Sequence, residues 1–234
     1  LIVDETFASL YLPDSPATGC VWDAIAAPLL ALPMSRRRRI LVLGLGGGSV
    51  ARIARALAPE ATIVGVETDA EVVRLARRHF DLDGLDLELV LDDALHFLGV
   101  EKRRFDLILE DVFVGRGDSV HKPDWIPEPG HELAARRLRG KGLLVSNVLD
   151  EASRVAAALR ARFPGLLRIE VADYDNQVLV AGPADLDARR LRAAVAADSV
   201  LAGSLAQLRF RNWRRGPIAA PVARPGDCRG ARGS

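Results

Sequence analysis

One stretch limits what this chain can become. Ile40-Leu41-Val42-Leu43 runs straight into Gly44-Leu45-Gly46-Gly47-Gly48-Ser49, and Val50, Ile53, Ala54 and Leu57 come next at helical spacing. A buried strand, a glycine turn and a helix start make a corner that meets a nucleotide or nucleoside. Gly44 and Gly46 can take backbone angles that a Cβ forbids, and they let a ligand lie against the main chain. The helix start offers free N–H groups and a positive dipole end to a carboxylate or phosphate. Tight strand-to-helix turns use glycine for packing as well, so the turn alone decides nothing.

Beyond the turn the chain alternates regularly. Thr62 to Val66 reads as a strand, Ala70 to Phe80 as a helix, Leu87 to Leu91 as a strand and Ala94 to Leu98 as a short helix. Phe105 to Leu109 is the fourth core strand. Pro127-Glu128-Pro129-Gly130 opens a helix through Arg139, which Gly140-Lys141-Gly142 closes, and Leu143 to Val148 is the fifth strand. Glu151 to Phe163 is a helix. Leu166 to Ala172 and Gln177 to Ala181 read as two closing strands, antiparallel across Asp173 to Asn176, and Leu186 to Leu208 as two amphipathic helices. This spacing implies an α/β fold, Rossmann-like and doubly wound: a mostly parallel seven-stranded sheet with helices on both faces. Residues 1–34 read as a short N-terminal β segment and a helix that Pro28 interrupts. Residues 35–215 read as the catalytic domain, and 216–234, rich in Pro, Gly, Ala and Arg, as a disordered tail.

Composition narrows the partners. Lys+Arg 32 against Asp+Glu 31 leaves a net charge of +1, so no bulk field draws the protein to nucleic acid or membrane. Arg36 to Arg39 reads as a solvated strand entrance. Cys20 and Cys228 show neither metal spacing nor a disulfide framework, which makes a reducing, cytoplasmic compartment the expectation. No apolar run approaches a membrane span. His79, His96, His121 and His131 lack ligand spacing, so no metal is expected. The irregular segment from Gly115 to Pro127 suits a lid over a substrate. The N-terminal strands and apolar helix suit a homodimer contact.

In an open parallel sheet the ligand sits at the carboxyl ends of the strands. Those ends carry Gly44, Gly46 and Gly48, then Glu67 and Asp69, then Asp92 and Asp93, then Glu110 and Asp111, then Asn147 and Asp150. Glu67 stands about twenty residues past the glycine turn, where a carboxylate accepts both ribose hydroxyls. Asp69 fits a helix N-cap better, and Asp93 fits either a cap or a partner of the adenine amine. Asp111 faces the glycine turn across the switch point, where a carboxylate can bind an amine or take its proton; Glu110 beside it is the second candidate. A dinucleotide fingerprint wants Gly or Ala where Ser49 stands. Acids after strands two and three suit S-adenosylmethionine better.

These residues carry a resemblance. Leu41 to Glu151 resembles the spermidine synthase-like branch of the class I S-adenosylmethionine-dependent transferases. Val66-Glu67-Thr68-Asp69 is similar to that family's V-E-I-D. Leu91-Asp92-Asp93-Ala94-Leu95-His96-Phe97-Leu98 resembles its G-D-A-x-x-F/W-L, and Phe105 to Asp111 its Y-D-V-I-I-x-D. The resemblance implies that Glu67 holds the ribose, that Asp93 and Ala94 hold the adenine edge, and that Asp111 is the catalytic aspartate. Thr68 and Asp92 fall beside these positions and count, with Gly44, Gly46 and Gly48, among the expected cofactor-binding residues. Three departures count against spermidine synthesis, not against the fold or a sulfonium nucleoside. Polyamine synthases continue Asp-Ser-Ser/Thr-Asp-Pro where this chain has Asp111-Val112-Phe113-Val114-Gly115. Their glycine turn carries an Asp where this one reads Gly47-Gly48-Ser49. Their Tyr-His-Glu falls here on Val21-Trp22-Asp23-Ala24.

The residues leave three readings. A methyltransferase would pass the methyl group of S-adenosylmethionine to an amine, hydroxyl or carboxyl on a small-molecule or peptide acceptor. An aminopropyltransferase would use decarboxylated S-adenosylmethionine and a polyamine. A non-catalytic relative would keep only the nucleoside-binding fold. The lost polyamine motif puts the first ahead of the second, and the retained Glu67, Asp93 and Asp111 count against the third.

Overall fold

The computed structural model describes residues 1–213, so the tail expected at 216–234 and Cys228 lie outside the described residues. The chain opens with a minimal hairpin, β1 (Ile2–Val3) and β2 (Thr6–Phe7), followed by α1 (Val21–Ala26). Pro28 ends α1 in a 3-10 turn over Ala27–Ala31, the interruption its ring requires. Then come β3 (Arg39–Leu43), α2 (Ser49–Leu57), β4 (Thr62–Glu67), α3 (Ala70–His79), β5 (Glu88–Leu91), α4 (Ala94–Val100), β6 (Phe105–Glu110), α5 (Gly130–Arg136), β7 (Leu138–Val148), α6 (Ala152–Arg162), β8 (Gly165–Val171), β9 (Gln177–Gly182), α7 (Ala188–Ala197) and β10 (Leu208–Asn212).

Eight of these strands form one sheet in the order β10-β8-β9-β7-β6-β3-β4-β5. From β5 to β7 every pairing is parallel, whereas β9 is antiparallel to both β7 and β8, and β10 to β8. Every residue of β6 is buried, as a central strand covered on both faces must be. Strand alternation splits the apolar residues between two cores. Ile40, Val42, Leu107 and Leu109 face one side, where Val50, Ile53, Ala54 and Leu57 of α2 pack with α1 and α7. Leu41, Leu43 and Ile108 face the other, against Phe97 and Leu98 of α4 and Val155 and Leu159 of α6. The α/β, mostly parallel, Rossmann-like architecture is the one expected.

Four details differ from the sequence reading. The sheet has eight strands, not seven, because Leu208–Asn212 pairs with β8 at the point where the spacing predicts the end of a helix. Leu208 and Phe210 alternate with Arg209 and Arg211 and stand opposite Val171 and Ile169, a two-residue period that favours a strand. The second helix expected before it is a 3-10 segment, Ala202–Gln207. In addition, Gly140-Lys141-Gly142 does not close a helix but lies inside β7, which begins at Leu138. The arginine run at the entrance of β3 is tied down rather than fully solvated. Arg37 donates to the carbonyls of Leu32 at 2.9 Å and Leu57 at 3.1 Å. The backbone N–H groups of Arg38 and Arg39 donate to Asp106 Oδ2 at 3.3 and 3.1 Å.

Candidate functional site

A cleft of about 510 Å3 opens at the carboxyl ends of β3, β4, β5, β6 and β7. Gly44, Gly46, Glu67, Thr68, Asp92, Asp93, Ala94 and Asp111 all line it, so eight of the ten residues singled out from the sequence share one hollow. Gly48 and Glu110 are not among its lining. Gly48 is the N-cap of α2, and a Cβ there would meet Leu82 Cδ1 at 2.8 Å; it serves the core. A second hollow of about 530 Å3, over the β8–β9 turn from Glu170 to Gln177, holds none of those ten.

The glycine turn is shaped by close approach. Gly44 has φ +78, and a Cβ on it would sit 2.6 Å from the Asp111 carbonyl oxygen. That contact lets the ends of β3 and β6 meet at the switch point, with Asp111 N–H donating to the Leu43 carbonyl at 2.9 Å. Gly46 has φ +55, and its Cβ would lie 2.9 Å from Ser9 Oγ. The N-terminal segment is thus laid on the turn. Gly47 N–H donates to Ser9 Oγ at 2.6 Å, and the Ser49 hydroxyl accepts from Leu10 N–H at 2.9 Å and donates to the Leu10 carbonyl at 2.8 Å. The serine that departs from the dinucleotide fingerprint is what fastens this segment.

Glu67 closes β4 toward the turn. Its Oε2 accepts from Gly46 N–H at 2.8 Å, and its Oε1 from the N–H groups of Thr68 and Asp69 at 2.9 and 3.1 Å. Asp69 caps α3 by accepting from Glu71 N–H at 2.7 Å. Asp93 caps α4 by accepting from His96 N–H at 2.9 Å and lines the cleft as well, so the two readings of that residue are compatible. Asp92 accepts from Asp93 N–H at 2.8 Å and faces His96 Nδ1 at 2.8 Å.

The two neighbouring acids at the end of β6 have opposite environments. Glu110 is 1% exposed and points away from the cleft. Its Oε1 lies 2.6 Å from Lys122 Nζ and accepts from Val112 N–H at 2.8 Å. Its Oε2 accepts from the Ser146 hydroxyl at 2.5 Å, with His131 Nε2 at 3.7 Å. Burial would raise this carboxyl, but the Lys122 charge and the surrounding hydrogen bonds overcome it and hold the group at about 2. Asp111 lines the cleft. Asn147 Nδ2 donates to its Oδ1 at 2.7 Å, and Asn176 Nδ2 in turn donates to Asn147 Oδ1 at 3.1 Å. Burial pushes Asp111 up to about 6, with the Lys122 charge and the Asn147 hydrogen bond opposing without cancelling it.

Sequence reasoning missed several lining residues. Trp22, Phe113, Tyr174 and Phe7 also line the cleft, and the Phe7 and Trp22 rings meet edge-on at 5.1 Å between centroids. The hairpin and the loop after β6 are joined over the cleft: Gly117 N–H donates to the Asp4 carbonyl at 2.8 Å, and Arg116 pairs with Glu5 at 2.7 Å. Alternation within β1 and β2 is the sequence signal for this wall, and nothing in it points to the cleft. Six carboxylates line the hollow, those of Asp4, Glu67, Asp69, Asp92, Asp93 and Asp111; among the described residues no lysine, arginine or histidine does.

Known proteins resemble parts of this chain. Residues 40–120 match a family model described as a methyltransferase domain. A probable polyamine aminopropyl transferase of Bifidobacterium longum is 32% identical over 106 residues, which is 45% of this chain and 23% of that protein. The chain spans less than half the length of this and similar curated relatives. A probable spermidine synthase from Corynebacterium glutamicum superposes with a TM-score of 0.63 at 23% identity, covering 88% of this chain and 76% of that one. Human methyltransferase-like protein 13, solved in complex with SAH, superposes with a TM-score of 0.60 at 21% identity, covering 85% of this chain and 95% of that one. Residues 40–120 thus resemble a methyltransferase domain, and the solved structures share the fold over most of the chain.

Proposed function

We propose that the cleft binds S-adenosylmethionine and that the protein transfers its methyl group to an amine on a small molecule or peptide. The observation that carries this reading is Asp111: a carboxylate lining the cleft, oriented by Asn147, in a hollow that aromatic side chains also line. Glu67 would hold the ribose diol, and Asp93 and Ala94 the adenine edge, with Thr68 and Asp92 beside them. Gly44 and Gly46 would let the nucleoside lie on the main chain. The acceptor nitrogen attacks the methyl carbon in line; the new C–N bond forms as the C–S bond breaks, and S-adenosylhomocysteine leaves. Asp111 orients the amine and takes its proton, a role suited to a carboxyl raised to about 6. Positioning supplies most of the rate. Glu110, the second candidate for this step by sequence, is sequestered with Lys122 and has no part in it.

The wall beside Asp111 supports methyl over aminopropyl transfer. Val112, Phe113 and Val114 line the cleft where polyamine synthases carry hydroxyls and a second acid. One observation favours the second reading. Six carboxylates and no cation among the described lining residues suit a donor that has lost its own carboxylate, as decarboxylated S-adenosylmethionine has.

The deciding experiment offers each donor separately with a panel of amines and peptides and weighs the products. A methyl gain from S-adenosylmethionine supports the proposal. An aminopropyl gain from the decarboxylated donor moves the protein to the second reading. Nucleoside binding without either gain moves it to a binding role.

A further inference from the structure

Lys122 is a lysine with no exposed side-chain surface, placed in a loop that by its composition should be solvated. Burying an ammonium is costly unless charge and hydrogen bonds compensate it, so its partners show what the cost secures. Lys122 Nζ reaches Glu110 Oε1 at 2.6 Å and donates to the Val112 carbonyl at 2.8 Å. It also lies 3.9 Å from the centroid of the Phe113 ring. Its backbone N–H donates to Glu151 Oε1 at 2.7 Å, and Glu151 Oε2 accepts from Leu149 N–H at 3.3 Å. One residue thus joins the end of β6, both residues that follow Asp111 and the turn from β7 into α6.

The contacts spread outward from there. Val114 and His121 exchange backbone hydrogen bonds at 2.9 Å each, which closes the loop on the side Lys122 anchors. The loop in turn carries the N-terminal hairpin, through Gly117 to Asp4 and Arg116 to Glu5. Phe113, Val114, Gly117 and Asp4 all line the cleft. The acceptor side of the cleft therefore rests on one buried ammonium, whereas the adenosine side rests on the ends of β3, β4 and β5.

We propose that Lys122 is a positioning residue for the transfer reaction: it fixes Val112 and Phe113, and so sets where the acceptor wall stands. The inference rests on the transferase reading, and its test has an arm that does not. Lys122→Met leaves Glu110 unpaired and risks misfolding, so the Glu110→Leu/Lys122→Met pair, which buries no charge, is made beside it. Hydrogen exchange is followed by mass spectrometry in both, with S-adenosylhomocysteine titrated by calorimetry. The double variant should fold, bind S-adenosylhomocysteine within a few-fold of the parent, and exchange about tenfold faster over residues 112–121 and 1–8, with α2, β3 and β4 unchanged. With any amine that gains a group in the donor screen, the loss should fall on the acceptor KM more than on kcat. Unchanged exchange over 112–121 in a folded double variant overturns the proposal, whether or not a transfer activity is found. Faster exchange with unchanged acceptor kinetics overturns the positioning role.

Discussion

Replacing Asp111 by Asn should make the protein more stable and less active, and the gain in stability should depend on pH. The carboxyl is lifted from its ordinary 3.8 to about 6 by burial. A shift of about two units corresponds to roughly 3 kcal/mol of free energy that the folded state loses when the group ionises. That figure is an upper bound, because the carboxyl faces an open cleft. The sign comes from the two protonation states. Below about pH 4 the group is protonated folded and unfolded, and the substitution should change little. Between pH 4 and 6 the parent loses stability progressively, and above pH 6 it carries the full cost. Asn keeps the shape, and its carbonyl can still accept from Asn147 Nδ2. Thermal unfolding at pH 4 and pH 8 reads this directly: the variant should match the parent at pH 4 and melt several degrees higher at pH 8. Transfer, once an acceptor is known, should fall on the order of 10²-fold or more, with S-adenosylhomocysteine affinity within a few-fold. A variant less stable than the parent at pH 8, or an equal difference at both pH values, would refute the assignment of a strained, cleft-facing carboxylate.

Glu67→Ala removes a carboxylate that tethers Gly46 and faces the cleft, and should weaken S-adenosylhomocysteine binding by about 1.5–3 kcal/mol in calorimetry; unchanged affinity in a folded variant takes Glu67 out of the site. Gly46→Val places a β-branched side chain at φ +55, against Ser9 Oγ, and should abolish nucleoside binding and lower the melting temperature by lifting the N-terminal segment. Glu110→Gln should act oppositely to Asp111→Asn. Its carboxyl is held at about 2 against an ordinary 4.5, so it contributes roughly 3 kcal/mol of stability above pH 4.5 that is lost as pH falls toward 2. Denaturant titration at pH 7 should show the loss, and the gap should narrow by pH 3.

The cleft is legible in the sequence because a parallel sheet sends all its carboxyl ends to one side. Glu67, Asp93 and Asp111 are far apart in the chain, yet each follows a strand, and that alone brings them together. The features that are not legible depend on contacts no spacing encodes. Lys122 lies in an irregular stretch and looks like any solvated lysine; only the folded loop turns it inward onto Glu110. Ser49 reads as a missing glycine until Leu10 is seen to bind it. Leu208 to Asn212 is too short for its alternation to stand out from the helical run before it, and β8 supplies the partner that makes it a strand.

The separation of Glu110 from Asp111 shows how the fold assigns chemistry. Glu110 ends β6 and Asp111 follows it directly, and composition treats them alike. Strand alternation sends consecutive side chains to opposite faces, so only one of two adjacent residues can look into the cleft. The other enters the layer between the sheet and α5, where an unpaired carboxylate would not survive; Lys122 and the Ser146 hydroxyl meet it there, with His131 nearby. Asp111 receives no cation within hydrogen-bonding distance among the described residues, only an amide and an indole, and so remains a carboxyl that ionises near neutrality. Had the two environments been exchanged, the cleft would hold a carboxylate that stays ionised down to about pH 2. By occupying Lys122, the buried pair keeps that ammonium out of the cleft, whose lining among the described residues holds no lysine, arginine or histidine.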